Sequence, residues 1–158
     1  KLKNLLNVDY IVNFGGEVNH KNFKRTYLSH YIGAKNLSDF YLKTKIKKFV
    51  QIGSSLEYGN SRSPQKESVF CKPKSNYALA KHQATKYLIK LFKNKGFPAI
   101  ILRPYQIYGP FQEPNRFISY IILSCIKNKY FPCSSGKQKR DFLYIDDCID
   151  AIIKLAEC

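Results

Sequence analysis

Acidic residues are scarce: 11 Asp and Glu stand against 27 Lys and Arg in 158 residues, a formal charge of +16. With no paired set of carboxylates suited to the work, glycosidase chemistry and carboxylate-held metal sites are excluded. Cysteine is limited to Cys71, Cys125, Cys133, Cys148 and Cys158. The number is odd, no C-x-x-C occurs and no histidine stands at ligand spacing, so neither a disulfide framework nor a zinc site is supported. These read as free thiols in a reducing cytosol. Long apolar runs are missing too. Nothing approaches the ~20 residues needed to span a bilayer, and the opening "KLKNLLNVDY" lacks the apolar centre of a signal peptide. The expectation is a soluble, cytoplasmic protein with no membrane partner.

What is present suits a globular fold: 44% hydrophobic residues with 15% aromatics supply a core for one domain. The basic charge would attract polyanions whatever the fold. However, its carriers are mostly lysines on presumed outer helix faces, such as Lys43, Lys45, Lys47, Lys48 and Lys86, Lys90, Lys93, Lys95. That pattern reads as a solvated surface, which disfavours nucleic acid as a partner and still suits a small anionic substrate.

Along the chain, "DYIVNFGG" is a short β-branched run ended by a glycine pair, as in a buried parallel strand. A helical stretch over about 26–44 follows, and then "KKFVQIGSSLEYG" repeats the pattern with a strand over 49–52 running into small residues. A Pro-containing loop over 60–74 leads to a second helix, and "PAIILRPYQIYGP" reads as a third strand stopped by a Pro/Gly turn. Strand, helix, strand, helix, strand at this spacing predicts an α/β fold with a doubly wound parallel sheet and sites at the carboxyl ends of its strands. Beyond Pro114 the expected elements are a helix over 116–128, a short strand at "KYFPC", the stretch "KRDFLYI" and a closing helix from Asp146.

The second helix opens "SNYALAKH", with Tyr77 four residues before Lys81. Chance alone gives about two such spacings in this composition, and Tyr31/Lys35 and Tyr41/Lys45 share it, so spacing does not single out a site. Location does. Gly15 and Gly16 end the first strand, Ser54 and Ser55 end the second, and Tyr108 and Gly109 follow the third, whereas the other two pairs lack comparable neighbours. Residues four apart share a helix face, so an ammonium at Lys81 is expected to lower the Tyr77 pKa toward working pH, as a general acid/base requires. His20, His30 and His82 show no evident partners and are read as surface or supporting residues.

Four motifs taken in order, "GSSLEYG", "YALAK", "RPYQIYGP" and "RDFLYIDD", resemble the extended short-chain dehydrogenase/reductase family, in particular its nucleotide-sugar epimerases and dehydratases. The resemblance implies a partial Rossmann-like domain over 1–114 that binds NAD. Residues 115–158 would bridge to a small substrate-binding lobe, with a closing helix that packs on the Rossmann domain. By the same resemblance Tyr77 is the acid/base, Lys81 orients the cofactor ribose and Ser54 is the catalytic hydroxyl. Gly15, Gly16, Pro104, Tyr105 and Ile107 would line the cofactor, while Ser55, Arg116 and Arg140 would meet a nucleoside-diphosphate sugar. Relatives that dehydrate carry Asp and Glu directly after the catalytic hydroxyl residue; here those positions are Ser55 and Leu56. The expected activity is therefore 4-epimerisation of an NDP-hexose through a keto intermediate. A 4-keto-sugar reductase or a 4,6-dehydratase is the alternative, and a non-catalytic nucleotide- or nucleic-acid-binding protein of the same fold is the rival from another class. A homodimer is allowed, and NADP remains open beside NAD because the residue that selects between them belongs to the family's upstream segment. That segment, with its glycine-rich phosphate loop, is not in this sequence, which reads as a fragment. Two further departures are His30, where many relatives have asparagine, and "NFGG", where an alanine pair is common.

Overall fold

The computed structural model describes residue 5 and residues 7–158. They divide into two compact units, one holding the chain up to Arg103 together with Ile152–Cys158, the other Pro104–Ala151.

The first unit is built on three parallel strands, β1 (Tyr10–Asn13), β2 (Lys48–Ile52) and β3 (Ala99–Leu102), in the order β1-β2-β3 with Val12 beside Val50 and Val50 beside Ile100. Their β-branched and aromatic residues fill a pleated surface, and parallel pairing requires a crossover between each pair. The first crossover contains α1 (Phe23–Tyr27), a π-helical turn (Leu28–Ile32) and α2 (Gly33–Tyr41). The run begins earlier than the sequence pattern suggests because the Asn22 side chain caps it, accepting from the Arg25 N–H at 3.0 Å. The second crossover holds a 3₁₀ turn (Ser55–Tyr58) and α3 (Asn76–Lys95). Ser75 caps α3 by accepting from Ala78 N at 3.1 Å, and Gly96 ends it in the left-handed conformation, φ 63°, that glycine takes without strain.

The helices and sheet meet in a core of Tyr41, Ile46, Phe49, Leu88, Leu91 and Phe97. Burying each large apolar side chain contributes about 1.5–3 kcal/mol. On α3 the buried stripe runs Ala78, Lys81, Thr85, Leu88, so helical spacing carries a lysine into the interior beside apolar neighbours. That placement underlies the site described below.

In the second unit β4 (Gln106–Tyr108) pairs in parallel with β5 (Phe142–Tyr144), with Ile107 beside Leu143. α4 (Phe117–Ile126) lies between them in sequence, and α5 (Ile145–Glu157) follows and runs on into residues of the first unit. Two expectations need correction here. "PAIILRPYQIYGP" yields two strands, since the proline at 104 has no N–H for a ladder and interrupts the run. "KYFPC" forms no strand, and Pro132 has the same defect.

The α/β class and the parallel, Rossmann-like sheet are as expected. No helix among the described residues is long and apolar enough to cross a membrane, and no cluster of His, Cys, Asp and Glu among them could hold a metal ion.

Candidate active site

At the carboxyl end of β2 the chain turns sharply. Ser54 is extended, at φ −160° and ψ 143°, and its hydroxyl accepts from Leu56 N at 3.2 Å. In return the Glu57 carboxylate accepts from Ser54 N at 3.0 Å, closing a capping box. Gly59 leaves the turn at φ 63°, where a β-carbon would sit 1.8 Å from Lys72 O, so only glycine fits.

From the first two turns of α3, Tyr77 and Lys81 enter this region. The Ser54 side chain lies near enough to the Tyr77 phenol to act on its protonation. The Lys81 ammonium is buried, donates to Ile52 O at 2.7 Å and lies 5.8 Å from the centre of the Tyr77 ring. The structure thus brings Ser54, Tyr77 and Lys81 together, and Ser55 stands next to them, half-buried, at the start of the 3₁₀ turn. The other two Tyr/Lys pairs lie elsewhere: Lys35 bonds Asp39 at 2.5 Å, and the buried Tyr41 donates to Leu5 O at 3.1 Å.

The electrostatics differ from the simple expectation. Burial raises the Tyr77 pKa; the neighbouring Ser54 side chain opposes this and the Glu57 charge adds to it, leaving the phenol above its ordinary value of 10. Lys81 does not reverse this, because burial lowers its own pKa to about 8, with Glu57 opposing. The resting site therefore holds a neutral phenol beside an ammonium that titrates close to working pH.

Two histidines close in on the phenol. His20 stacks on Tyr77 with centroids 4.1 Å apart, and His30, within the π-helical turn, meets the ring edge-on at 4.9 Å. Such wide turns occur frequently at functional sites. His30 is buried, its Nε2 lies 3.0 Å from Glu17 O, and burial lowers its pKa to about 4. Spacing gave no sign of these contacts, because they depend on where the β1–α1 loop folds back. The third histidine, His82, places Nδ1 3.8 Å from Glu57.

Gly15 and Gly16 are exposed where β1 ends, and a β-carbon on Gly16 would lie 2.0 Å from the His30 ring. Nδ1 of His30 is buried without a hydrogen-bond partner among the described residues. Lys81 has three N–H donors, and among the described residues the one acceptor they meet is Ile52 O. Two unmet donors on a buried ammonium beside a phenol fit a polyhydroxyl group such as the ribose of a nicotinamide dinucleotide.

The remaining residues picked out from the sequence lie in the second unit. Tyr105, Ile107 and Arg116 line an open cleft of about 660 Å³ together with Phe117 and Phe142. Pro104 immediately precedes them. Arg116 forms an exposed ion pair with Glu113 at 3.4 Å. Arg140 is exposed and makes no ion pair among the described residues.

Comparison with known proteins bears on the family. The model of the NAD dependent epimerase/dehydratase family matches residues 1–158. The chain belongs to that family. It is 30% identical over 128 residues to a Bacillus subtilis protein named uncharacterized UDP-glucose epimerase YtcB, covering 80% of this chain and 40% of that one. It is also 30% identical over 134 residues to the dTDP-D-glucose 4,6-dehydratase of Mus musculus, covering 83% and 37%. Among solved structures, UDP-glucuronic acid 4-epimerase from Bacillus cereus, crystallised with NAD, superposes with a TM-score of 0.89 at 28% identity, over 99% of this chain and 52% of that one. The chain therefore spans less than half the length of the two relatives named first.

Proposed function

We propose that this chain carries the proton-transfer centre of an NAD-dependent nucleotide-sugar 4-epimerase. The observation that supports it is the Ser54–Tyr77–Lys81 group at the carboxyl edge of the sheet, followed by Ser55 and Leu56 with no acid at either position. Bound NAD would supply the acceptor, and then the donor, of a hydride at the sugar C4. The chain's own part is the proton. The neutral phenol of Tyr77 first gives up its own proton, a loss that positive charge at Lys81 and the bound cofactor would favour; as phenolate it takes the proton of the C4 hydroxyl as the carbonyl forms and returns it when the carbonyl is reduced from the other face. Ser54 holds the same oxygen through its hydroxyl. Lys81 presents its free N–H donors to the ribose and keeps positive charge beside the phenol. Elimination of the C6 hydroxyl, as in a dehydratase, would need an acid and a base beside the sugar, and neither Ser55 nor Leu56 provides one.

In this reading Gly15, Gly16, Pro104, Tyr105 and Ile107 border the cofactor. Ser55, Arg116 and Arg140 face the nucleoside-diphosphate sugar. Residues 1–114 act as the cofactor domain and 115–158 lead into the substrate lobe.

The test is incubation of the full-length protein with UDP-glucose, dTDP-glucose and GDP-mannose in D₂O. A 4-epimerase gives a product of unchanged mass, without solvent deuterium and without net cofactor turnover. A product lighter by one water and deuterated at C5 identifies a dehydratase, and stoichiometric reduction of added NAD with release of a 4-keto sugar, the reverse direction, identifies a 4-keto reductase.

A further inference from the structure

Glu57 is the most deeply buried carboxylate, at 0% exposure, in a chain poor in acids. A buried charge persists only when its surroundings compensate it, so its partners show what it is for. One oxygen, Oε1, accepts the Ser54 N–H at 3.0 Å. The other, Oε2, accepts from Nε of Arg103 at 3.2 Å and lies 3.8 Å from His82 Nδ1. Arg103 is held in turn over the Tyr58 ring, 4.9 Å from its centre. Gly53 leaves room for the carboxylate, since a β-carbon there would lie 2.5 Å from Oε1. The side chain is thereby fixed from the residue that follows β3, from α3 and from its own turn, and it fixes Ser54 in turn.

Ser54 is the residue whose side chain lies beside the Tyr77 phenol and acts on its protonation. Its main chain is held at both ends of the capping box, so the direction of its hydroxyl follows from where the Glu57 carboxylate sits. We infer that Glu57 is a positioning residue for the Ser54–Tyr77 pair: the reach of its carboxylate to the Ser54 N–H places the serine hydroxyl against the phenol. In the reaction proposed above, on which this inference rests, that contact aligns the sugar hydroxyl for proton transfer. Such alignment matters because a displacement of about 1 Å costs on the order of 10²-fold in rate. Lys81, His20, His30 and Ser54 also face the phenol, and Lys81, His82, Arg103 and Cys71 share the field of Glu57. The alternative is a buried ion pair with Arg103 that stabilises the fold and nothing more.

Two substitutions in the full-length protein separate these roles. Glu57→Asp keeps the charge and shortens the reach, while Glu57→Gln keeps the reach and removes the charge. If reach to Ser54 is the function, Glu57→Asp speeds hydrogen exchange of the Ser54 amide at least about tenfold and lowers kcat about tenfold more than Glu57→Gln does, with the KM for the nucleotide sugar within about twofold. In Glu57→Gln the Ser54 amide stays protected and the Tyr77 phenol, followed through ¹³C-labelled tyrosine, titrates at lower pH. The reverse order, with Glu57→Gln the slower enzyme and the Ser54 amide unaffected by Glu57→Asp, overturns the inference in favour of the ion pair. A parent protein that turns over no nucleotide sugar, yet shows the amide and phenol effects, would reject the assigned reaction and leave the positioning of Ser54 standing.

Discussion

Lys81 donates a 2.7 Å hydrogen bond to the main-chain oxygen of Ile52, tying α3 to the last residue of β2. The same oxygen accepts from the Gln51 side-chain amide at 3.0 Å, so it has a partner whether or not the lysine is present. The ammonium is therefore held in place by a contact the fold does not depend on. A buried charge kept in this way belongs to function before stability.

Lys81→Met should accordingly stabilise the protein while abolishing turnover. The folded-state pKa, about 8, lies below the ordinary 10.5, so the unfolded chain binds more protons between these values and parent stability rises with pH through that window. The gain from Met is then greatest below pH 8, about 1–3 kcal/mol, and is gone near the unfolded pKa. Thermal melts of both proteins at neutral pH and near pH 10 check this; an equal gain at both would show that the charge is not the cause.

Tyr77→Phe in the full-length enzyme should lower turnover at least about 10²-fold with little change in cofactor affinity, because the lost hydroxyl carries the proton. Single-turnover reduction of bound cofactor beside a cofactor titration measures both quantities. Unchanged turnover would move the acid/base role to another residue.

His30 makes stability acid-sensitive. Burial sets its folded pKa at about 4 against an ordinary 6.5, so stability is fully present above the higher value and falls as pH drops toward the lower. The loss should amount to about 1–3 kcal/mol. Melting temperatures of the parent and His30→Asn across this range should converge or cross as the pH falls; parallel curves would assign the acid sensitivity elsewhere.

Arg140→Ala should weaken nucleotide-sugar binding by about 1.5–3 kcal/mol, the range of a charge-assisted hydrogen bond. The guanidinium is exposed and, among the described residues, is not paired with Asp146 or Asp147, its rival partners in the sequence. Calorimetric titration with a nucleotide sugar beside a thermal melt decides the matter. Intact affinity with a lowered melting temperature would remove Arg140 from the site.

The strand and helix order could be read because β-branched runs ending in small residues and a capped, periodic helix announce themselves locally. Tyr77, Lys81 and Ser54 could be nominated because they end or follow such elements. Glu57 could not: as one carboxylate in "SLEYG" it looks like any surface acid, and only the packing of β3 and α3 shows it to be enclosed. The contacts of His20 and His30 with Tyr77 depend on the path of the β1–α1 loop, for which the sequence offers no periodic signal. Spacing predicts a lowered Tyr77 pKa, whereas burial holds it above the ordinary value, for a related reason. Helical geometry brings the two near each other, but depth of burial decides which protonation state each prefers.

The contact between Gly16 and His30 links two positions that look independent in the sequence. A methyl group at 16 would fall within 2.0 Å of the imidazole, so the glycine is a condition for the histidine, and the two departures from the family pattern amount to one change made at two places. Tolerance at the two positions is then coupled: alanine at 16 requires the imidazole at 30 to shift or to be replaced by a smaller side chain. A scan that varies one position at a time would score Gly16 as intolerant of alanine. The double variant Gly16→Ala/His30→Asn would recover what the single one loses, a case of epistasis that can be read from one interatomic distance.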